Sequence, residues 1–187
     1  MRRAFAELGH DAWSCDLLPA RDGSACHIQG DVRPVLQQPW DLVIAFPPCQ
    51  YLCSSGLHWN HRRPGRQAHT EAAADFFMAC VRANAGMVAV ENSIGCMSTR
   101  YRPPDQIIQP WWFGDDASKA TCLWLKNLSP LKPTDMLPGD RRTRRANQTA
   151  SGQNKLGPSP ERARLRATTY PGIAAAMADQ WGRLPPR

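Results

Sequence analysis

The sequence predicts an α/β fold built on a mostly parallel sheet. Two apolar runs, at residues 41–46 and 86–91, have the length and composition of buried strands. An alanine-rich stretch at 67–83 lies between them and places apolar side chains three and four positions apart, which is typical of a helix. Strand, helix and strand in this order predict a right-handed crossover between parallel neighbours.

Five further elements complete the predicted chain order: a helix at 1–9, strands at 12–15, 27–29 and 120–126, and a C-terminal helix at 171–181. The first helix has Phe5 and Leu8 on one face and ends at Gly9, a residue type that commonly follows a helix. Pro171 suits the first turn of the last helix. Residues 129–168 are rich in proline, glycine and charge, and they are predicted to form a basic, partly disordered loop.

Length and composition indicate a single domain over residues 1–187. A chain of 187 residues, 42% of them hydrophobic, can bury one core of ordinary size. It has an odd number of cysteines, seven, and its two N-terminal arginines precede no apolar segment of the kind that a secretion signal needs. No apolar stretch approaches the roughly 20 residues of a membrane span. We therefore expect reduced thiols, no membrane partner and a cytoplasmic location.

Positive charge is concentrated late in the chain. The formal net charge is +7, and one stretch holds many of the cations: Arg141, Arg142, Arg144, Arg145, Lys155, Arg162, Arg164 and Arg166. Such a stretch favours a polyanion as partner. The alternative, on composition alone, is a solubilising tail without fixed structure.

Side chains that could take part in catalysis lie at the ends of the two central strands. Residues 47–50 read Pro-Pro-Cys-Gln, which puts the Cys49 thiol on a stiff turn at the end of a strand. The second run ends in Glu91 and Asn92, which carry a carboxyl group and an amide. Ligands in open α/β sheets bind at the carboxyl ends of the strands. We therefore expect a nucleophile and a proton donor to meet at one edge of the sheet.

These residues resemble the cytosine-5 DNA methyltransferases, whose Pro-Cys loop carries the attacking thiolate and whose Glu-Asn element holds the cytosine. Residues 91–95 read Glu-Asn-Ser-Ile-Gly, similar to the Glu-Asn-x-x-Gly of short phage-type members. Residues 119–126 and 169–173 resemble later segments of those proteins, so the match covers most of the chain. The resemblance implies a Rossmann-like fold that uses S-adenosylmethionine, with DNA as partner and a bacterial host cytoplasm as location.

The resemblance also implies roles for individual residues. Cys49, Glu91 and Asn92 are expected to be catalytic, with Cys49 adding to cytosine C6, Glu91 holding a proton on N3, and Asn92 orienting the loop or the base. Cofactor contacts are expected from Asp16, Asp31 and Pro47. Substrate contacts are expected from Pro48, Gln50, Ser54, Gly56, Arg100 and Lys119. Arg102 is a further candidate for a phosphate contact beside Arg100.

One part of the family pattern does not occur in the chain. The first strand of the family and its glycine-containing loop precede the helix in which this sequence begins, so the sequence predicts an N-terminally truncated form of the fold. Two strand edges and some apolar side chains should then be exposed. Either the natural protein begins upstream of Met1, or this form binds S-adenosylmethionine weakly.

Two other interpretations concern the cysteine and aromatic residues. Four potential zinc ligands lie close together in the sequence: Cys49, Cys53, His58 and His61. Structural zinc sites usually separate their two ligand pairs by a longer loop, and we expect no metal here. The aromatic run at 111–113 could stack on a displaced base or could belong to the core.

Three functions are compatible with these patterns. The first is a DNA cytosine-5 methyltransferase, the second a catalytically silent DNA-binding remnant of that family, and the third a methyltransferase acting on a pyrimidine nucleotide. Residues 129–168 are too rich in proline, glycine and arginine to form a separate target-recognition domain. For a DNA substrate, the sequence therefore predicts salt-dependent binding and a relaxed or very short target site.

Overall fold

The computed structural model describes residues 1–159 and 161–183. The strands are β1 (Ser14–Asp16), β2 (His27–Gln29), β3 (Trp40–Ala45), β4 (Ala85–Ser93), β5 (Gln106–Ile108) and β6 (Thr121–Lys126). The helices are α1 (Arg2–Ala6), α2 (Val32–Leu36), α3 (Ser54–Leu57), α4 (Arg66–Val81), α5 (Met97–Arg100), α6 (Arg162–Ala167) and α7 (Pro171–Gly182), with 3₁₀ turns at His58–His61 and Pro110–Trp112. Pro160 and the side chain of Arg164, both in the predicted loop, lie outside this description. Each described helix is too short or too polar to span a membrane.

The strands form two sheets. β1 and β2 pair in parallel as a two-stranded sheet, and the other strands form a four-stranded sheet of order β3-β4-β6-β5. β3 and β4 are parallel, whereas β6 is antiparallel to both of its neighbours. The fold is therefore α/β with a mixed sheet, which corrects the prediction of a mostly parallel one.

The connections explain why the second half of the sheet is antiparallel. A parallel return needs a long crossover, usually a helix, and α4 provides one between β3 and β4. Only a 3₁₀ turn lies between β5 and β6. Without a helix to carry the chain across the sheet, β6 enters in the opposite direction between β4 and β5.

The predicted elements are present near their expected positions, and the structure adds several short ones. β3, α4, β4, β6 and α7 all cover the runs that hydrophobic spacing predicted. The short elements α1, β1 and β2 also lie within or next to their predicted ranges, whereas α2, α3, α5, β5 and α6 were not predicted. α6 lies inside the segment predicted as a loop.

The four-stranded sheet is buried on both faces, and alternate side chains of β4 point to different cores. Val88 packs with Phe77 of α4 on one face. Ala89 packs with Trp181 of α7 and Phe5 of α1 on the other face. With both faces covered by helices, polar side chains can meet only at the edges of the sheet.

Four strands pair on one side only in the described part of the chain: β1, β2, β3 and β5. Leu17, Leu18 and Phe46, which follow β1 and β3, are exposed. Any open sheet has such edges, so the absence of a leading strand stays a prediction.

Candidate functional site

The loop after β3 and the end of β4 lie at the same edge of the sheet. In their parallel register Ala45 lies opposite Val90, so both strands run towards that edge. We name residues 47–57 the cysteine loop. Cys49 in this loop and Glu91 on β4 therefore belong to one edge, as the spacing of the motifs predicted.

Asn92 ties the cysteine loop to β4. Its Nδ2 donates a 2.7 Å hydrogen bond to the carbonyl oxygen of Pro47, and its Oδ1 accepts a 3.0 Å bond from the backbone N–H of Ser93. Asn92 is only 1% exposed, so water cannot replace these bonds. Of the two roles predicted for Asn92, these contacts support orientation of the loop.

Gly95 lets the backbone of the cysteine loop lie directly on the continuation of β4. The N–H of Cys96 donates to the carbonyl oxygen of Leu52 at 2.9 Å, and the N–H of Ser54 donates to that of Ile94 at 3.1 Å. A Cβ atom at position 95 would lie 2.0 Å from the carbonyl oxygen of Leu52. Only glycine allows this approach, which explains the residue that ends the Glu-Asn-x-x-Gly run.

The first turns of α4 hold the other side of the cysteine loop. Nη2 of Arg66 donates to the carbonyl oxygens of Gln50 and Gly56, at 3.3 and 3.2 Å. The same guanidinium lies 4.8 Å from the centroid of the Tyr51 ring. The buried Thr70 hydroxyl donates a 3.1 Å bond to the carbonyl oxygen of Tyr51. Neither Arg66 nor Thr70 was predicted, and the only signal for them is their place at the start of the helix that follows the loop.

We expect Thr70→Val to lower the free energy of unfolding by about 1–3 kcal/mol, because the substitution leaves buried polar groups without partners. The Thr70 hydroxyl bonds to Tyr51 and to the side chain of Asn60. Urea unfolding measures the loss. Thr99→Val is the matched control, since the Thr99 hydroxyl bonds to the carbonyl oxygen of Cys96 at an exposed position. Equal losses in the two variants would contradict the expectation.

The Cys49 thiol is half-buried on a closed turn. The carbonyl oxygen of Cys49 accepts hydrogen bonds from the N–H groups of Leu52 and Cys53, at 3.0 and 2.9 Å. Two other cysteines, Cys80 and Cys122, are core residues. Burial raises the pKa of each of these thiols to about 11, as in unreactive core thiols. Cys49 differs from those two in its place at the sheet edge and in its partial exposure.

Glu91 lies in a small cleft at the same edge. The cleft is narrow and open to solvent. Cys49 is not among the residues that line it. The lining includes Phe46, Glu91, Lys119, Thr121, Tyr170 and Met177.

The surroundings of Glu91 favour its protonated form. Burial raises the pKa of the Glu91 carboxyl, while the charge of Lys119 and a hydrogen bond from Thr121 oppose that shift. Only 16% of the Glu91 side chain is exposed, and Nζ of Lys119 lies 4.0 Å from its Oε1. Nζ of Lys119 also donates a 3.1 Å bond to the carbonyl oxygen of Arg166. The carboxyl thus holds a proton more tightly than an exposed glutamate does.

Asp16 and Asp31 lie at or just after the ends of the two-stranded sheet. Oδ1 of Asp16 accepts a 2.9 Å bond from the N–H of Leu18. Asp31 caps α2: its Oδ1 accepts from the N–H of Arg33, and its Oδ2 lies 3.0 Å from the guanidinium of the same residue. The backbone and side-chain bonds from Arg33 lower the pKa of Asp31. Both carboxylates therefore make the contacts of ordinary turn and cap residues.

The two arginines predicted to contact phosphate both have carboxylate partners. Arg100 forms a two-point pair with Glu71, at 2.6 and 2.7 Å. Arg102 lies 2.7 Å from Asp105. A neighbouring carboxylate therefore offsets part of the charge of each guanidinium, and the predicted phosphate contacts of Arg100 and Arg102 stay predictions.

The zinc and stacking interpretations receive no support from the structure. Within residues 1–159 and 161–183, no group of three or more His, Cys, Asp and Glu side chains is arranged to hold a metal ion. Cys53 lies 3.4 Å from the hydroxyl of Ser55. Trp111 and Phe113 are buried, so the aromatic run belongs to the core.

The predicted basic loop is anchored beside the cleft. Oδ1 of Asn147 accepts from the N–H of Ser118, and its Nδ2 donates to the carbonyl oxygen of Ser118 and to the hydroxyl of Tyr170. Arg145 is buried, with its guanidinium 4.6 Å from the centroid of the Trp111 ring. These contacts fix part of the loop next to residues that line the cleft, which a free solubilising tail would not do.

Comparison of the chain with protein-family models, with curated proteins and with solved structures gives no match. The feature of the molecule that bears most on its function is the bonded unit of the cysteine loop, Asn92 and Gly95 at the sheet edge.

Proposed function

We propose that the chain is a DNA cytosine-5 methyltransferase, which transfers a methyl group from S-adenosylmethionine to cytosine C5 through a covalent Cys49 adduct. One observation carries the proposal: the cysteine loop and the end of β4 are bonded into one unit at the carboxyl edge of the sheet. That unit holds a thiol and a protonatable carboxyl at the same edge of the sheet, and nucleophilic addition with proton transfer needs both groups.

In the proposed reaction, Cys49 makes C5 reactive. The thiolate forms a bond to C6, and the electron pair of the C5–C6 double bond shifts to the C4–C5 bond, which gives C5 the nucleophilic character of an enamine carbon. Glu91 donates a proton to N3 in this step, which its raised pKa favours. A methyl donor bound beside C5 would lose its methyl group to C5 and leave as a neutral thioether. Loss of the C5 proton to a base then restores the C5–C6 double bond and expels the thiolate, and the N3 proton returns to Glu91. A water molecule near the exposed hydroxyls of Ser54 and Ser55 is our candidate for the base.

S-adenosylmethionine supplies an electrophilic methyl group on a sulfonium centre. Asp16 fits the role of holding ribose hydroxyls, because its carboxylate is exposed and its bond from Leu18 uses only one oxygen. Asp31 fits less well, since Arg33 already engages both of its oxygens. Pro47 is buried and its carbonyl oxygen is bonded to Asn92, so its part is to position the loop.

DNA is the proposed substrate because the chain carries a net charge of +7 and anchors its basic segment beside the Glu91 cleft. A target cytosine must leave the base stack to reach Cys49. Binding should be salt-dependent, with few bases read outside the target. The location that agrees with this function is the cytoplasm of a bacterial host.

Incubation with methyl-labelled S-adenosylmethionine tests the proposal. We expect 5-methylcytosine in duplex DNA and far less label in free dCMP. Label in dCMP alone would identify a nucleotide methyltransferase. Salt-dependent DNA binding, with no methyl transfer and no heat on titration with S-adenosylmethionine, would identify a silent remnant and overturn the proposal.

The pH dependence of stability should reveal the buried Glu91. A carboxyl with a raised pKa in the folded chain contributes stability that is lost as pH rises from its unfolded-state pKa through its folded-state pKa. Glu91→Gln resembles the protonated form, so its stability relative to wild type should increase as the pH rises from about 4 through the raised pKa of Glu91. Urea unfolding across that range measures the difference.

Glu71→Gln is the control of opposite sign. The hydrogen bond from Arg100 lowers the pKa of Glu71, so that carboxylate contributes stability that is present above its unfolded-state pKa and lost as pH falls. Its replacement should lose stability relative to wild type as pH rises. A Glu91→Gln difference that stays constant across the range would contradict a raised pKa at Glu91.

A further inference from the structure

A basic and aromatic surface continues directly from the cysteine loop. It consists of Trp59, in the 3₁₀ turn His58–His61, with Arg62 and Arg63 after it, and we name it the Trp59 clamp. Trp59 is 36% exposed, and both arginines are exposed. Their guanidinium carbons lie 5.9 and 4.4 Å from the centroid of the Trp59 ring. The indole therefore holds two cations side by side at the surface.

The clamp is fixed to the scaffold of the site. The backbone N–H groups of Arg62 and Arg63 both donate to the carbonyl oxygen of Trp59, at 3.0 and 2.9 Å. Nδ2 of Asn60 donates a 3.0 Å bond to the buried hydroxyl of Thr70, which itself bonds to the cysteine loop. A segment whose backbone is already fixed loses less conformational entropy when its side chains bind an anion.

The clamp lies at the edge of the sheet that carries Glu91. The chain leaves β3 at this edge, and α4 returns it to the start of β4 at the opposite edge, so the residues just before α4 stay beside the cysteine loop. Among the described residues, Arg62 and Arg63 have no carboxylate partner. They differ in this respect from Arg100 and Arg102, whose guanidinium groups are paired.

We propose that the Trp59 clamp binds backbone phosphates of the DNA strand that carries the target cytosine. The inference rests on the proposed function, because it places the clamp beside the strand that the cysteine loop acts on. Guanidinium groups match the geometry of phosphate oxygens and form charge-assisted hydrogen bonds with them. Arg62 and Arg63 would make these phosphate contacts, with Trp59 as their positioning residue, in addition to any contact made by Arg100 and Arg102.

Fluorescence anisotropy of a labelled, cytosine-containing DNA duplex at several salt concentrations tests the clamp. Arg62→Gln combined with Arg63→Gln should weaken binding about tenfold or more at low salt. It should also reduce the slope of log affinity against log salt by about 1.8, because each phosphate contact to duplex DNA contributes about 0.9. Trp59→Leu keeps both charges, so it should weaken binding severalfold and leave the slope nearly unchanged.

The matched control removes the same charge elsewhere. Arg82→Gln combined with Lys132→Gln changes two exposed cations at the opposite edge of the sheet, and its affinity and slope should stay close to wild type. Equal losses of DNA affinity in the two double variants would contradict phosphate binding by the Trp59 clamp. So would wild-type affinity in the Arg62 and Arg63 variant. Circular dichroism establishes that each variant is folded.

The experiment can distinguish an error about phosphate binding by the Trp59 clamp from an error about the proposed function. DNA binding is measured without S-adenosylmethionine. Even if the chain transfers no methyl group, the Arg62 and Arg63 variant can therefore still show a reduced slope of log affinity against log salt. An active enzyme whose DNA affinity does not depend on Arg62 and Arg63 would refute the clamp alone. A wild-type chain that binds no DNA would overturn both proposals.

Discussion

Cys49→Ala should abolish methyl transfer, with a loss of rate on the order of 10³-fold or more. The substitution removes the sulfur that bonds to cytosine C6. It keeps the bonds that close the turn, because these go to the backbone carbonyl oxygen of Cys49. The free energy of unfolding should therefore stay close to that of wild type. The loss of rate would then show that Cys49 is the nucleophile.

A DNA duplex with fluorine in place of the cytosine C5 hydrogen makes the adduct visible. The base cannot remove fluorine as a proton, so the Cys49 thiolate is not expelled after methyl transfer. Wild type should form a protein–DNA complex that survives denaturing electrophoresis and requires S-adenosylmethionine. Cys49→Ala should form none, and an active Cys49→Ala variant would refute the mechanism.

Cys53→Ala is the matched control for Cys49→Ala. Cys53 lies in the same loop, and its sulfur contacts the hydroxyl of Ser55 at 3.4 Å. If Cys49 alone is the nucleophile, Cys53→Ala should retain the covalent complex and most of the rate. Loss of both folding and activity in Cys53→Ala would instead favour a metal site that includes the two cysteines.

Gly95→Ala should destabilise the fold by about 3 kcal/mol and slow methyl transfer about 10²-fold. The added Cβ would lie 2.0 Å from the carbonyl oxygen of Leu52 and 2.9 Å from Cα of Cys53. Both are backbone atoms that cannot rotate away. The cysteine loop must then move off β4, which breaks the bond from the N–H of Cys96 to Leu52. The same movement displaces Cys49 relative to Glu91.

Gly157→Ala is the control for this effect. No atom lies within 4 Å of a Cβ built at Gly157, so stability and rate should both match wild type closely. Urea unfolding and a labelled-methyl assay, at a temperature where both variants are folded, measure the two quantities. Gly95→Ala with wild-type stability and rate would show that the loop does not depend on its close approach to β4.

The sequence predicted its longest elements from two kinds of pattern. α4, with sixteen residues, has apolar side chains three and four positions apart, and β4, with nine, contains a continuous apolar run. α2 and β5, with five and three residues, have neither pattern, and short elements are predicted less consistently. The direction of β6 also could not be predicted, because pairing depends on the path of the connections and not on the composition of the strand.

The candidate site was predictable where its residues are close to strand ends in the sequence. Cys49 and Glu91 follow neighbouring strands, so their common edge follows from the crossover rule. The pairing of Arg100 with Glu71 joins residues that are 29 positions apart, and no local pattern shows it. The support that Arg66 gives to the loop is equally non-local, since it depends on how α4 packs.

Residue type and hydrophobic period are local properties of the chain, so the sequence predicts which side chains can do chemistry and which strand ends carry them. The contacts that anchor the loop through Asn92, bury Glu91 and place Arg62 and Arg63 over the Trp59 ring are visible only in the folded chain. Burial and ion pairing depend on groups brought together from distant parts of the chain, so the folded arrangement alone sets which charges remain available to a partner.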